Sequence, residues 1–221
     1  MDVLYACFVR AGDLAFDIGA HVGDRIASFR RLGAKVVALE PQPDPARLLR
    51  LLYARDPHVR LLRAAAGPEN GETTLRINSR NPTVSTAADR FVEAARGAPG
   101  WEGQVWDEAL TVPCVTLDAL IRQLGLPAFI KIDVEGFEDE VLAGLNTQVP
   151  ALSFEFTTIV REVASRCLDR MEALGPYRFD VVLGETQDFV FERFIGVAEM
   201  RTYLSALPHA ANSGDVYAVL T

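Results

Sequence analysis

Leu14-Ala15-Phe16-Asp17-Ile18-Gly19-Ala20-His21-Val22-Gly23-Asp24 is an apolar run closed by an acid, then a glycine turn, then the opening of an amphipathic segment. The run predicts a strand over Leu14–Ile18 and a helix over 22–32. Outward from it, Lys35–Leu39 predicts a second, valine-rich strand. Pro43–Tyr53 predicts a helix with proline in its first turn, and Val59–Leu62 a third strand. A β-α-β-α-β order of this kind marks a parallel sheet wrapped by helices on both faces.

The middle of the chain changes character. Gly67-Pro68-Glu69-Asn70-Gly71 is dense in turn residues, and 72–77 then alternates like a solvent-facing strand. Residues 78–110 are polar and interrupted by Gly97, Pro99, Gly100 and Gly103, with a helical stretch at 87–95. An insertion of this length predicts a functional loop or lid contributing to the substrate site. Trp101 and Trp106 lie in it, and pinning the loop to the body is one role open to them. Alternation resumes with a helix at 116–123, a strand at 129–133, a helix at 137–145, a strand at 151–156 and a helix at 159–174. Tyr177–Leu183 and 214–220 predict the last strands, with 188–207 irregular or partly helical between them. The expectation is one α/β domain over 1–221 with seven core strands, mostly parallel. No long helix separates the closing pair, so one strand in the edge region should run antiparallel.

The chain has 221 residues, 49% of them apolar, enough for a continuous core without staples. Cys7, Cys114 and Cys167 form no metal-type spacing and read as small hydrophobes in a reducing compartment. The first ten residues lack a basic, apolar signal pattern, and no apolar window approaches ~18 residues. These features predict a cytoplasmic protein with no membrane contact. The formal charge of −8 disfavours nucleic acid as partner, because a net negative field repels phosphates. Arg47, Arg50, Arg55, Arg60 and Arg63 read as solvated charge. A homodimer is compatible with this composition.

Gly19 allows a tight turn and a close approach of backbone N–H groups to a ligand, and Gly23 lets the helix pack near both strand and ligand. The spacing is G-A-x-x-G, without the G-x-G-x-x-G that seats a pyrophosphate. Asp17 beside the turn would repel a pyrophosphate and suits a cationic group such as the ammonium of a methionine moiety. Glu40 closes the second strand, where an acid can accept both hydroxyls of an adenosyl ribose. Phe129-Ile130-Lys131-Ile132-Asp133-Val134-Glu135-Gly136 is more informative still. A covered central strand should be apolar, yet Lys131, Asp133 and Glu135 recur at period 2, which places them on one face while the segment stays extended. Buried charges persist when paired or used for chemistry, and a Lys131 ion pair is the structural alternative. Glu155 repeats the pattern near the end of the next strand.

Together these residues resemble the FkbM family of methyltransferases. The matching pieces are FDIGAHVG at 16–23, VALEP at 37–41, AAGPENG at 65–71, TLDAL at 116–120 and KIDVEGFE at 131–138, with Val141-Leu142. The last of the long blocks is the most specific. The resemblance implies a seven-stranded Rossmann-like class I fold, S-adenosylmethionine as cofactor, and O-methylation of a hydroxylated small molecule, a sugar or natural product. Asp17, Gly19, Gly23 and Glu40 match the family's cofactor positions, with Ala20, His21, Pro41 and Ala65 beside them. Asp133 and Glu135 match its hallmark strand end, and Asp133 is also placed to meet the cofactor. The short leader leaves out any substrate-capping N-terminal helices, and 78–110 matches nothing in the family pattern.

For hydroxyl methylation the candidate bases are Asp133 first, then Glu135, Glu155 and His21. His21 could titrate near neutrality or contribute only its backbone N–H. If Asp133 instead holds the methionine ammonium, the base shifts to Glu155. A divalent cation, used by some class I O-methyltransferases, finds carboxylates here but no recognisable ligand set, so no metal residue is assigned. The competing readings are an NAD-dependent oxidoreductase, which lacks its glycine motif here, a nucleic-acid methyltransferase, and a non-catalytic cofactor-binding relative. Asn81-Pro82-Thr83-Val84 lacks the second proline and the aromatic of an N-P-P-Y motif.

Overall fold

The strands of the computed structural model, which describes residues 1–221, are β1 (Leu14–Ile18), β2 (Lys35–Leu39), β3 (Val59–Leu62), β4 (Ala65–Ala66), β5 (Gly71–Ile77), β6 (Glu108–Val115), β7 (Phe129–Ile132), β8 (Ala151–Thr157), β9 (Tyr177–Leu183) and β10 (Ser213–Leu220). The helices are α1 (Asp2–Tyr5), α2 (Asp24–Arg31), α3 (Pro43–Tyr53), α4 (Asp89–Ala95), α5 (Leu117–Leu124), α6 (Glu138–Ala143), α7 (Arg161–Leu174) and α8 (Val197–Ala206). The seven apolar strands read from the sequence form one sheet in the order β3-β2-β1-β7-β8-β10-β9. The strand order reverses between β1 and β7, and an open α/β sheet leaves a crevice at such a switch point.

β10 is the antiparallel strand. It lies one position in from the edge and pairs antiparallel with both β8 and β9, placing Asp215 opposite Glu155 and Tyr217 opposite Ser153. All other pairings in this sheet are parallel. One face is covered by α5 to α8 through Leu117, Leu120, Val141, Leu142, Leu168 and Met200. The other is covered by α1, α2 and α3 through Tyr5, Ile26, Phe29 and Leu49. On that second face Phe8 stacks on Phe129 at 5.0 Å and on Tyr217 at 5.5 Å between ring centroids. Burying such a ring is worth about 1.5–3 kcal/mol.

A second sheet, β4-β6-β5, sits beside the first. The sequence reading leaves 108–110 inside an irregular insertion; the structure instead starts β6 at Glu108 and pairs it antiparallel with β5 from Ile77 to Gly71. Between these strands, the 78–107 stretch is tied down. Trp106 donates its indole N–H to the Val84 carbonyl at 2.9 Å, and both tryptophans pack edge-on against Phe91. Arg90 bonds to the Gly136 carbonyl and to Asp139, so this stretch is fastened to the start of α6. The three cysteines are free thiols. No helix is long and apolar enough to cross a membrane.

Candidate active site

The turn after β1 is shaped by hydrogen bonds to its two neighbours. The N–H groups of Gly19 and Ala20 donate to the Leu39 carbonyl at 3.0 and 2.9 Å, and the Asp133 N–H donates to Ile18 at 2.9 Å. Gly19 has φ +87°, and a Cβ there would collide with the Asp133 carbonyl oxygen. Glycine is therefore required where the end of β7 crosses the turn. Gly23 caps α2 at φ +91°, packed under Leu49 and Tyr53, whose hydroxyl donates to the Gly23 carbonyl at 3.2 Å.

These turns border an open cleft. Gly19, Ala20, His21, Gly23, Glu40, Pro41, Ala65, Asp133 and Glu135 all line it. Asp17 and Glu155 do not line it. Asp17 lies beneath the turn, 1% exposed, with Oδ2 lacking any hydrogen-bond partner. Burial pushes its carboxyl up to about 7 against the pull of Arg25 and Lys131.

Glu40 ends β2 at the cleft wall. Its Oε2 accepts the His21 N–H at 2.7 Å and its Oε1 the Gln42 N–H at 2.8 Å, which fixes the carboxylate and leaves one lone pair on each oxygen. Burial lifts this group to about 7 in spite of those bonds. His21 uses its backbone N–H for this contact from φ +44°, while burial lowers the pKa of its half-buried imidazole.

At the other end of the cleft stand the charges of β7. Lys131 is fully buried and bonds to Asp133 at 3.1 Å and Asp215 at 2.8 Å. Burial alone would discharge Lys131, but the two carboxylates outweigh it and hold it protonated. Burial likewise works against the Asp133 anion, yet Lys131 and Arg25 outweigh it and hold Asp133 below its usual range. The expectation that Lys131, Asp133 and Glu135 share one strand face is corrected at its end. β7 stops at Ile132, and Glu135 turns out at φ +56° with its carbonyl accepting the Thr86 hydroxyl at 2.6 Å. The turn still brings carboxylate oxygens of Asp133, Glu135 and Glu155 within 4.8 Å of one another. Burial first, then the Asp133 charge, pushes Glu135 and Glu155 well above the ordinary carboxylate range. The same oxygens are donors of the type a divalent cation takes.

Three participants are absent from the sequence reading. Arg25 reaches Asp133 at 3.5 Å, Asp215 completes the Lys131 ion pair, and Gln42 bridges to the Pro82 carbonyl at 3.1 Å. Each resembles an ordinary surface residue in sequence, and only the tertiary contacts reveal it. Thr83, Ser85 and Ala87 of the 78–107 stretch also line the cleft.

The cleft fits an adenosylmethionine. The glycine cradle at Gly19 leaves room where a side chain would intrude, and the Glu40 carboxylate can accept a ribose diol. Comparison with known proteins agrees. The model of the "Methyltransferase FkbM domain" matches residues 17–207. No curated protein matches the chain. Among solved structures, precorrin-6y C5,15-methyltransferase from Geobacter metallireducens is 12% identical over 99% of this chain and 86% of that one, with a TM-score of 0.51. Aeropyrum pernix fibrillarin, solved with natively bound S-adenosyl-L-methionine, is 11% identical over 96% of this chain and 68% of that one, with a TM-score of 0.50. Precorrin 8w decarboxylase from Methanobacterium thermoautotrophicum is 11% identical over 100% of this chain and 89% of that one, with a TM-score of 0.50. At such identities the solved structures show a shared fold alone, whereas the family match spans most of the chain and both ends of the cleft. The chain belongs to the FkbM family of S-adenosylmethionine-dependent methyltransferases.

Proposed function

We propose that this methyltransferase transfers the methyl group to a hydroxyl oxygen of a small, hydroxylated acceptor such as a sugar or natural product, with Glu135 taking the proton. The observation that carries the reading is the carboxylate trio at the end of the cleft, of which Asp133 alone is ion-paired. The cofactor supplies an already activated methyl group, so the protein's task is alignment and proton removal. Gly19, Gly23 and Glu40 seat the donor. Asp133, kept anionic by Lys131 and Arg25, is a weak base and a good counter-ion for the donor's ammonium. Glu135 lines the cleft, and its raised affinity for protons suits it to accept the acceptor's hydroxyl proton during transfer, with Glu155 close behind it to share that charge. This moves the base from Asp133 to its neighbour. Thr83, Ser85 and Ala87, which line the cleft, support a place for the 78–110 insertion beside the acceptor.

The acidic balance of the chain favours a small acceptor over nucleic acid. Purified protein, labelled S-adenosylmethionine and a panel of hydroxylated sugars and polyketides test the reading. Glu135→Gln should lower kcat by roughly 10²–10⁴-fold and remove the acid limb of the pH–rate profile, with S-adenosylhomocysteine affinity held within twofold. Wild-type turnover by that variant would overturn the assignment of the base.

A further inference from the structure

Helix α3 is apolar on two sides. Ala46 and Leu49 are buried against the sheet, yet Leu48, Leu51 and Leu52 are 39%, 78% and 57% exposed. Spacings of three and four residues make these three neighbours on the outward side of the helix. β3, on which α3 packs through Leu49, Val59 and Leu61, is the outermost strand of the sheet. We propose that the outward side of α3 is an interface between two copies of the chain, related by a twofold axis that sets their α3 helices antiparallel.

Single exposed leucines are common on proteins, but three contiguous ones on one helix mark an interaction surface. The charges around them specify the partner. Asp44 lies in the first turn of α3, and Arg55 lies just past its end, with Ala54 between them still in helical φ and ψ. Asp44 and Arg55 are about three helical turns apart, so both stand on the same side as the leucines, and both are exposed.

Along the chain this side therefore reads acid, leucines, base. Turned end for end, the pattern complements itself. An antiparallel copy sets Asp44 against the partner's Arg55 and Leu48 against the partner's Leu51, and the twofold repeats each pair in reverse. Arg47 holds only Oδ1 of Asp44, at 3.1 Å, which leaves Oδ2 for the partner's Arg55. An anionic bilayer fits the same side less well, because Asp44 and the net charge of −8 both oppose lipid phosphates. The inference is independent of the methyl acceptor.

Sedimentation velocity of the full chain tests it. A helix pair is a small contact, so a Kd on the order of 10 µM is expected, with monomer near 1 µM and mainly dimer by about 100 µM. Leu51→Glu, at a position the core does not use, should stay monomeric throughout. Asp44→Arg and Arg55→Asp, each alone, set like charges face to face and should weaken self-association at least about tenfold. Mixed one to one, these two variants should dimerise as tightly as wild type, since every pair is again of opposite charge. A wild-type protein that stays monomeric at 100 µM overturns the proposal. So does a dimer that Leu51→Glu leaves intact, or a mixture that associates no better than its two components. Binding of a monomeric wild-type protein to phosphatidylglycerol vesicles, lost in Leu51→Glu, overturns it in favour of a bilayer.

Discussion

In the proposed donor seating, Glu40 would serve the ligand at the expense of the fold. Its carboxyl is 3% exposed and is raised by burial to about 7 from 4.5. The folded protein thus binds this proton more tightly than the unfolded chain does. The associated stability is fully present below pH 4.5 and is lost as pH rises through 7. Glu40→Gln should flatten the decline in melting temperature between pH 5 and 8, although its amide can accept only one of the two backbone N–H groups the carboxylate holds. It should also weaken S-adenosylhomocysteine about tenfold or more, because a charged acceptor for the ribose is gone. Thermal unfolding across pH and calorimetry read the two effects separately; a variant with the wild-type pH slope would contradict the assignment. Glu40 is legible in the sequence because a carboxylate that closes an apolar strand costs desolvation energy, which a ligand contact can offset. Asp133 is legible for the same reason. Arg25 is not, since an arginine in the first turn of an amphipathic helix looks solvated until β7 is laid against it.

At the level of elements, the central parallel strands announce themselves through mostly apolar runs, because both faces of the sheet are covered there. β6 does not. It carries Pro113, its burial alternates weakly, and its partner β5 lies far back in the chain, so local pattern has little to detect. The reversed direction of β10 has a chemical outcome as well. Antiparallel pairing with β8 sets Asp215 opposite Glu155 and within 2.8 Å of the Lys131 ammonium. Asp215→Asn leaves that buried cation with Asp133 as its only carboxylate. Breaking a buried pair costs about 3–5 kcal/mol, and the amide returns part of it, so a loss of roughly 2–4 kcal/mol is expected in urea unfolding. A variant as stable as wild type would show that Asp133 alone suffices for Lys131.

Across the whole molecule, 30 acidic residues against 22 basic ones give the net charge of −8. The exposed arginines 47, 50, 55, 60 and 63 gather on α3 and around β3, at the far edge of the sheet from the β7 carboxylates. RNA oligonucleotides should therefore show no mobility shift with up to about 10 µM protein at physiological salt, where non-specific binders have Kd values of about 10⁻⁴–10⁻⁶ M. A salt-sensitive shift at lower concentration would turn the acceptor assignment toward nucleic acid. The opening segment of the chain carries a different kind of influence. Phe8 lies flat against Phe129 and Tyr217, and Tyr5 packs on Phe29 and Phe129, over the sheet face that holds Lys131. Those rings work as a stopper. Trimming the protein back past Val9, or straining that segment with a rigid fusion at Met1, would let water drain in behind the lysine, and carboxylates more than a hundred residues away would change their hold on protons.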